Sequence, residues 1–131
     1  MAHILIIDQD PTPRATLTGL LRSEGHEVRS TDSSWQAFAL CQLTAMDVVV
    51  VCLLMPGHAG EEATRLLRRE FPELAILAFA TRTGGEDRSE FAFWLGVNRI
   101  LNKPYEPKVL LAAVRDMLGA KPQAEAPMLR R

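Results

Sequence analysis

Four places in this 131-residue chain put chemically useful side chains at the end of an apolar run. Asp8-Gln9-Asp10 follows Ile4-Leu5-Ile6-Ile7, Cys52 closes Val48-Val49-Val50-Val51, Thr81 comes straight after Ala80, and Lys103-Pro104 follows Ile100-Leu101-Asn102. Asp8 offers the hard oxygen that a divalent ion prefers. Cys52 offers a soft sulfur whose thiolate is a nucleophile, and a lysine beside it, Lys103, could lower its pKa. The bland reading of Cys52 is a small apolar residue filling the end of a buried strand. Asp10 reads as a helix cap rather than a metal ligand, because Pro11 follows in the first helical position. His3, His26 and His58 show no metal-ligand spacing and read as surface or loop residues.

The elements that must carry these residues alternate. Continuous apolar runs at 4–7, 48–53 and 75–80 suit strands buried on both faces; 27–31 and 99–101 read as shorter strands. Between them, Ala15, Leu17, Leu20 and Leu21 recur at helical spacing and Gly25 ends that helix. Trp35, Phe38, Ala39 and Leu43 are the apolar positions of a second helix, capped by Asp32 or Ser33. Ala63, Leu66, Leu67 and Phe71 mark a third, which Pro72 stops. Residues 88–95 make a short helix closed by Gly96, and 108–118 make the last. Met55-Pro56-Gly57 and Thr83-Gly84-Gly85 mark loops. Five strand–helix repeats with no polar alternation imply a parallel five-stranded sheet covered on both faces by right-handed crossovers. This is an α/β, doubly wound sandwich, and its ligands sit outside the carboxyl ends of the strands. Residues 1–118 read as one domain and 119–131 as a flexible C-terminal tail.

With 15 basic and 16 acidic residues, the chain shows no electrostatic footprint for nucleic acid or an anionic membrane. Arg65, Arg68 and Arg69 read as a solvated helix face, and Arg130-Arg131 as the end of the tail. Two cysteines, Cys41 and Cys52, make no disulfide framework. The longest apolar run, residues 48–55, is too short to span a bilayer, and no signal peptide is evident, so the cytoplasm is the expected compartment.

In order and spacing the chain resembles the receiver domains of bacterial response regulators over about residues 3–118. The resemblance rests on Ile4-Leu5-Ile6-Ile7-Asp8, on Asp47-Val48-Val49-Val50-Val51-Cys52-Leu53-Leu54-Met55-Pro56-Gly57, on Phe71-Pro72-Glu73-Leu74, and on Gly96-Val97-Asn98 with Asn102-Lys103-Pro104-Tyr105. It implies the flavodoxin-like (βα)5 topology with strand order 2-1-3-4-5. It also implies a phosphate-accepting site of two adjacent acids, an acceptor aspartate, a hydroxyl and a lysine around a Mg²⁺ ion. Asp8 matches the first acid and Lys103 the lysine. Gln9 stands at the second acid, Cys52 at the acceptor, and Ala80 at the hydroxyl position, with Thr81 one residue late and so on the opposite strand face. Ile100 holds the aromatic switch position.

These departures lead to an atypical receiver, a pseudo-receiver lacking the acceptor. The expectations are a degenerate pocket of Asp8, Gln9, Cys52, Ala80, Thr81 and Lys103, a vestigial ligand in Asp8, weak or absent Mg²⁺ binding, no cofactor and no enzymatic activity. Asp8 and Lys103 are expected to pair directly or through one water. Signalling would then run through protein contacts with a histidine kinase, another regulator or a second copy of the chain, without nucleic acid or membrane. Phe91, Trp94, Ile100 and Tyr105 are the interface candidates, although Phe91 and Trp94 could equally pack under the Gly84-Gly85 loop. The alternative is a redox sensor built on Cys52. A flavodoxin-like cofactor protein fits poorly, since the segment after the first strand lacks a glycine- and hydroxyl-rich phosphate cradle.

Overall fold

Isoleucine and valine runs leave the inner strands without a polar face, and the chain folds accordingly. The computed structural model describes residues 1–53, 58–80 and 95–120. Within them lie β1 (His3–Ile7), α1 (Pro11–Arg22), β2 (Glu27–Thr31), α2 (Ser34–Leu43), β3 (Val48–Cys52), α3 (Ala59–Glu70), β4 (Ile76–Ala80), β5 (Arg99–Asn102) and α4 (Pro107–Ala120). All neighbouring strands pair in parallel, in the order β2-β1-β3-β4-β5. The expected sheet is therefore the observed one. Residues 88–94 of the expected short helix, and the Met55-Pro56-Gly57 and Thr83-Gly84-Gly85 loops, lie outside the described residues. Helix α4 runs to Ala120, so Gly119 and Ala120 are helical rather than part of a tail.

The sheet alternates its side chains between two cores. Leu5, Ile7, Val49, Val51, Ile76 and Ala78 pack with Ala37, Cys41, Ala63 and Leu67 of α2 and α3. Ile4, Ile6, Val48, Val50, Leu77 and Phe79 pack with Leu17 and Leu21 of α1 and with Leu110, Ala113, Val114 and Met117 of α4. The period of two sends successive residues to opposite faces, and both faces are covered, so β3 and β4 are buried along their whole length.

Two expectations are corrected. Helix α2 buries Ala37 and Cys41 and partly buries Phe38 and Leu40, while Trp35 is 72% and Leu43 81% exposed. The row Trp35-Ala39-Leu43 thus faces outward, because the small Ala37 and Cys41 let the helix lie close to the sheet. Arg68 is not a solvated residue. Its Nε donates to the Gly96 carbonyl (2.9 Å), Nη1 to the carbonyls of Pro72 (2.8 Å) and Phe71 (3.4 Å), and Nη2 to Asn98 Oδ1 (2.9 Å). Burial lowers its pKa from the usual guanidinium value. Asn98 Oδ1 also accepts the Ile76 amide at the start of β4 (2.8 Å). Gly96 turns the chain at φ 95°, and a Cβ there would lie 2.9 Å from Arg68 Cγ.

Local signals set the helix starts. Asp10 accepts the Thr12 amide (3.2 Å) and caps α1, and Ser33 accepts the Gln36 amide (3.2 Å) and caps α2. Helix α3 starts differently. His58 takes the left-handed conformation (φ 60°) with no side-chain cap bond, and its Nδ1 lies 3.0 Å from Glu61 Oε1. In the first turn of α3, Gly60 rests on the end of β3.

A Cβ at Gly60 would fall 2.1 Å from the Cys52 carbonyl oxygen. Replacing glycine by alanine within a helix favours the folded state by about 1 kcal/mol. A clash with backbone costs about 1–3 kcal/mol, sometimes more, and here it wins. Gly60→Ala is expected to lower the urea midpoint by the equivalent of about 1–2 kcal/mol. An unchanged or raised midpoint would mean that α3 does not rest on β3 this closely.

Candidate functional site

The parallel sheet brings the carboxyl ends of β1, β3, β4 and β5 to one edge. Asp8 follows β1, Cys52 and Ala80 end β3 and β4, and Lys103 follows β5. Cys52 stands beside Phe79 in register, and Ala80 beside Asn102. The Lys103 amide donates to the Ala80 carbonyl (3.1 Å), which extends the β4–β5 ladder up to the lysine itself.

Asp8 is held from several directions. Its amide donates to the Thr31 carbonyl (3.0 Å) and its carbonyl accepts from Arg14 Nη1 (2.7 Å). Its Oδ1 accepts the Asp10 amide (3.0 Å), and its Oδ2 lies 3.5 Å from Lys103 Nζ. The Asp8 side chain is 8% exposed and that of Lys103 25%. The same ammonium lies 3.6 Å from Cys52 Sγ and 5.3 Å from the centre of the Phe79 ring. Among the described residues the amine therefore meets a carboxylate, a sulfur and an aromatic face, all of which suit a cation.

The other sequence-derived positions separate from this cluster in different ways. Gln9 is exposed. Ala80 is buried and brings only a methyl group and a backbone carbonyl. Ile100 is partly buried against the α2–α3 core. Tyr105 is half-buried and stacks on Phe79, with ring centres 4.9 Å apart and planes at 16°. Burial pushes its phenol above the usual range; the Lys103 charge opposes this and the Asp8 charge adds to it. Thr81, Phe91 and Trp94 lie outside the described residues. Asp10 acts as a cap, as its position before Pro11 predicts.

Sequence reasoning passed over three contributors. Arg14 reaches the Asp8 carbonyl from α1, and its place one turn beyond the Asp10 cap was the available signal. Gly60 touches the Cys52 carbonyl, which no sequence pattern announces. Glu61 is buried at the start of α3 beside His58, which is itself exposed.

The donor chemistry of this edge is poor for a hard divalent ion. One oxygen of Asp8 faces an ammonium, the other accepts an amide, and the thiol of Cys52 is soft. Among the described residues no three His, Cys, Asp or Glu side chains group to hold a metal. No helix among them is long and apolar enough to cross a membrane. Cys41, in the core under α2, is a free thiol that burial pushes up to about 11.

Comparison with known proteins agrees with this fold. The family model of the response regulator receiver domain matches residues 4–115. The chain is similar to protein PilH of Pseudomonas aeruginosa, with 32% identity over 122 residues covering 91% of this chain and 99% of PilH. It is also similar to response regulator protein FleR of the same organism, with 33% identity covering 95% of this chain but only 26% of FleR. Among solved structures, a putative response regulator from Chloroflexus aurantiacus superposes with a TM-score of 0.80 and 30% identity, covering 90% of this chain and 98% of that one. The chain belongs to the response regulator receiver domain family of two-component signalling.

Proposed function

We propose that this receiver domain carries no phosphate and signals through protein contacts. The observation that carries the reading is the Lys103 ammonium lying 3.5 Å from Asp8 Oδ2 and 3.6 Å from Cys52 Sγ. Acyl-phosphate formation needs a carboxylate to attack phosphorus and form the new P–O bond while the donor leaves. It also needs a hard ion and cationic groups to neutralise the charge on the phosphoryl oxygens. The attacking position holds a thiol, the second acidic position holds the exposed Gln9, and the hydroxyl position holds the buried Ala80. These residues do not fit Mg²⁺.

In this reading the receiver unit extends to the end of α4 at Ala120 and has no enzymatic activity. Its partners are proteins: a histidine kinase, another regulator or a second copy. The near-balanced charge of −1 supports partners other than nucleic acid or an anionic membrane, and the reading places the domain in the cytoplasm. The lysine beside Cys52 favours a second reading, in which that thiol senses oxidants. Its burial, with 5% of the residue exposed, weighs against it.

Incubation with acetyl phosphate and magnesium is expected to leave the intact mass unchanged, both for the native chain and for Cys52→Asp. Labelling of the native chain would overturn the reading, and efficient labelling of Cys52→Asp would show that Gln9 and Ala80 do not disable the site. With dilute peroxide and a sulfenate trap, Cys52 is expected to stay unmodified; a trapped sulfenate would instead establish the redox reading. Cys41 should resist alkylation at pH 8 in the folded state. Its folded pKa of about 11 exceeds the ordinary 9.0, so its contribution to stability is complete below about pH 9 and is lost as pH rises towards about 11. Cys41→Ala should remove that part of the alkaline fall in the denaturation profile; an identical fall in both proteins would refute the assignment.

A further inference from the structure

Strand β2 forms one border of the sheet and pairs with β1 alone among the described strands. Parallel pairing uses the backbone groups of every second residue. The Glu27 amide donates to the Ala2 carbonyl (2.8 Å), and the Thr31 carbonyl accepts the Asp8 amide (3.0 Å). Glu27, Arg29 and Thr31 thus turn their backbone groups towards β1, and Val28 and Ser30 turn theirs away from the sheet. An edge of this kind is a template for another strand. Here it is occupied from within. Arg22, in the last turn of α1, donates from Nη2 to the Val28 carbonyl (3.0 Å), the first outward acceptor of the strand. A cleft of about 320 Å³, lined by Arg22, His26, Glu27, Val28 and Arg29, lies along the same edge.

We infer that Arg22 is an autoinhibitory latch, which keeps this edge from pairing with β2 of a second copy. The charges on the strand select that occupant and its register. In antiparallel pairing about a two-fold axis, outward residues must face outward residues. With Val28 on the axis, the two copies of Val28 exchange both backbone bonds, and Glu27 of each copy stands opposite Arg29 of the other. Opposite charges placed in this way attract across a strand pair. With Arg29 on the axis arginine would face arginine, and with Ser30 on it Arg29 would face the neutral Thr31.

Both charged residues are accessible to a second copy. The Glu27 side chain is 62% exposed even with His3 Nδ1 3.4 Å from its Oε1, and Arg29 is exposed as well. The Val28 side chain is buried in the core beneath α1 and α4, which fixes the strand. Pairing therefore requires only that the guanidinium leave the carbonyl. That step is the obstacle. Each copy must give up a hydrogen bond from a charged donor, a stronger bond than one between neutral groups, and a strand of five residues returns few backbone bonds. The native chain stays unpaired at this edge as a result.

The latch does not depend on the strand-end site, and its failure leaves the phosphodonor result untouched. Sedimentation velocity on the full chain from about 5 to about 500 µM, with amide hydrogen exchange followed at Val28, provides the test. In the native chain, exchange at Val28 should not change with concentration. Arg22→Ala and Arg22→Gln, both at an exposed position, should keep the native circular dichroism. They should self-associate with a Kd at least about tenfold below that of the native chain, and protect the Val28 amide as concentration rises. Arg22→Lys keeps a charged donor and should behave as the native chain does. Adding Arg29→Glu to Arg22→Ala sets glutamate against Glu27 and should abolish association; adding Glu27→Arg as well should restore it. Failure of both neutral Arg22 variants to associate would overturn the inference. So would association that Arg29→Glu leaves intact, or that the charge exchange does not restore, or protection of Val28 by concentration in the native chain.

Discussion

Strands buried on both faces can show polar chemistry only where they stop. In this chain β3 and β4 are buried at every position, and β1 at all but its first residue. An ionisable side chain within them would be sealed in hydrocarbon on one side or the other. Parallel pairing then puts all the strand stops that matter on one edge, since every strand runs the same way. The site is in this sense a consequence of the sheet, and the helices decide only how closely its members approach. Asp10 and Pro11 start α1 immediately after Asp8, and Gly60 lets α3 begin against the carbonyl of Cys52.

The electrostatics of that edge follow from counting charges. A lysine facing several carboxylates leaves a negative excess, which a metal ion can share. Here, among the described residues, the ammonium lies beside the carboxylate of Asp8 and the sulfur of Cys52. Placing a part-buried ammonium beside a buried carboxylate lets each offset the cost of removing the other from water. Phe79 completes the enclosure, with Tyr105 stacked on its ring. In the proposed reading this cluster serves as fixed structure rather than as a reaction centre.

Most of the fold was legible because its signals are local. The runs 4–7 and 48–52 are strands by period and length, and Asp10-Pro11 is a helix start by capping chemistry. The strand-end residues were legible because topology sends strand ends to one edge. What escaped notice depends on distance in sequence. Arg68 lies among neighbouring arginines and nothing nearby shows that its partners are at 71–72 and 96–98. Helix α2 misled for another reason: it is apolar on both sides, so periodicity could not say which side faces inward. The small residues Ala37 and Cys41 settle that, and they do so through fit rather than hydrophobicity.

Arg68 has a wider consequence. Three of its acceptors are backbone carbonyls, at Phe71, Pro72 and Gly96, and the fourth is the Asn98 side chain. A carbonyl is the same whatever side chain its residue carries. The return of the chain to the sheet is thus specified by one guanidinium, one amide and a glycine that leaves room for them. These bonds survive a substitution at 71 or 72 as long as the path of the main chain is kept, whereas a change at 68 removes all four at once. Robustness to mutation is therefore distributed unevenly across this corner of the molecule, and the residue with the most exposed-looking sequence context is the least replaceable.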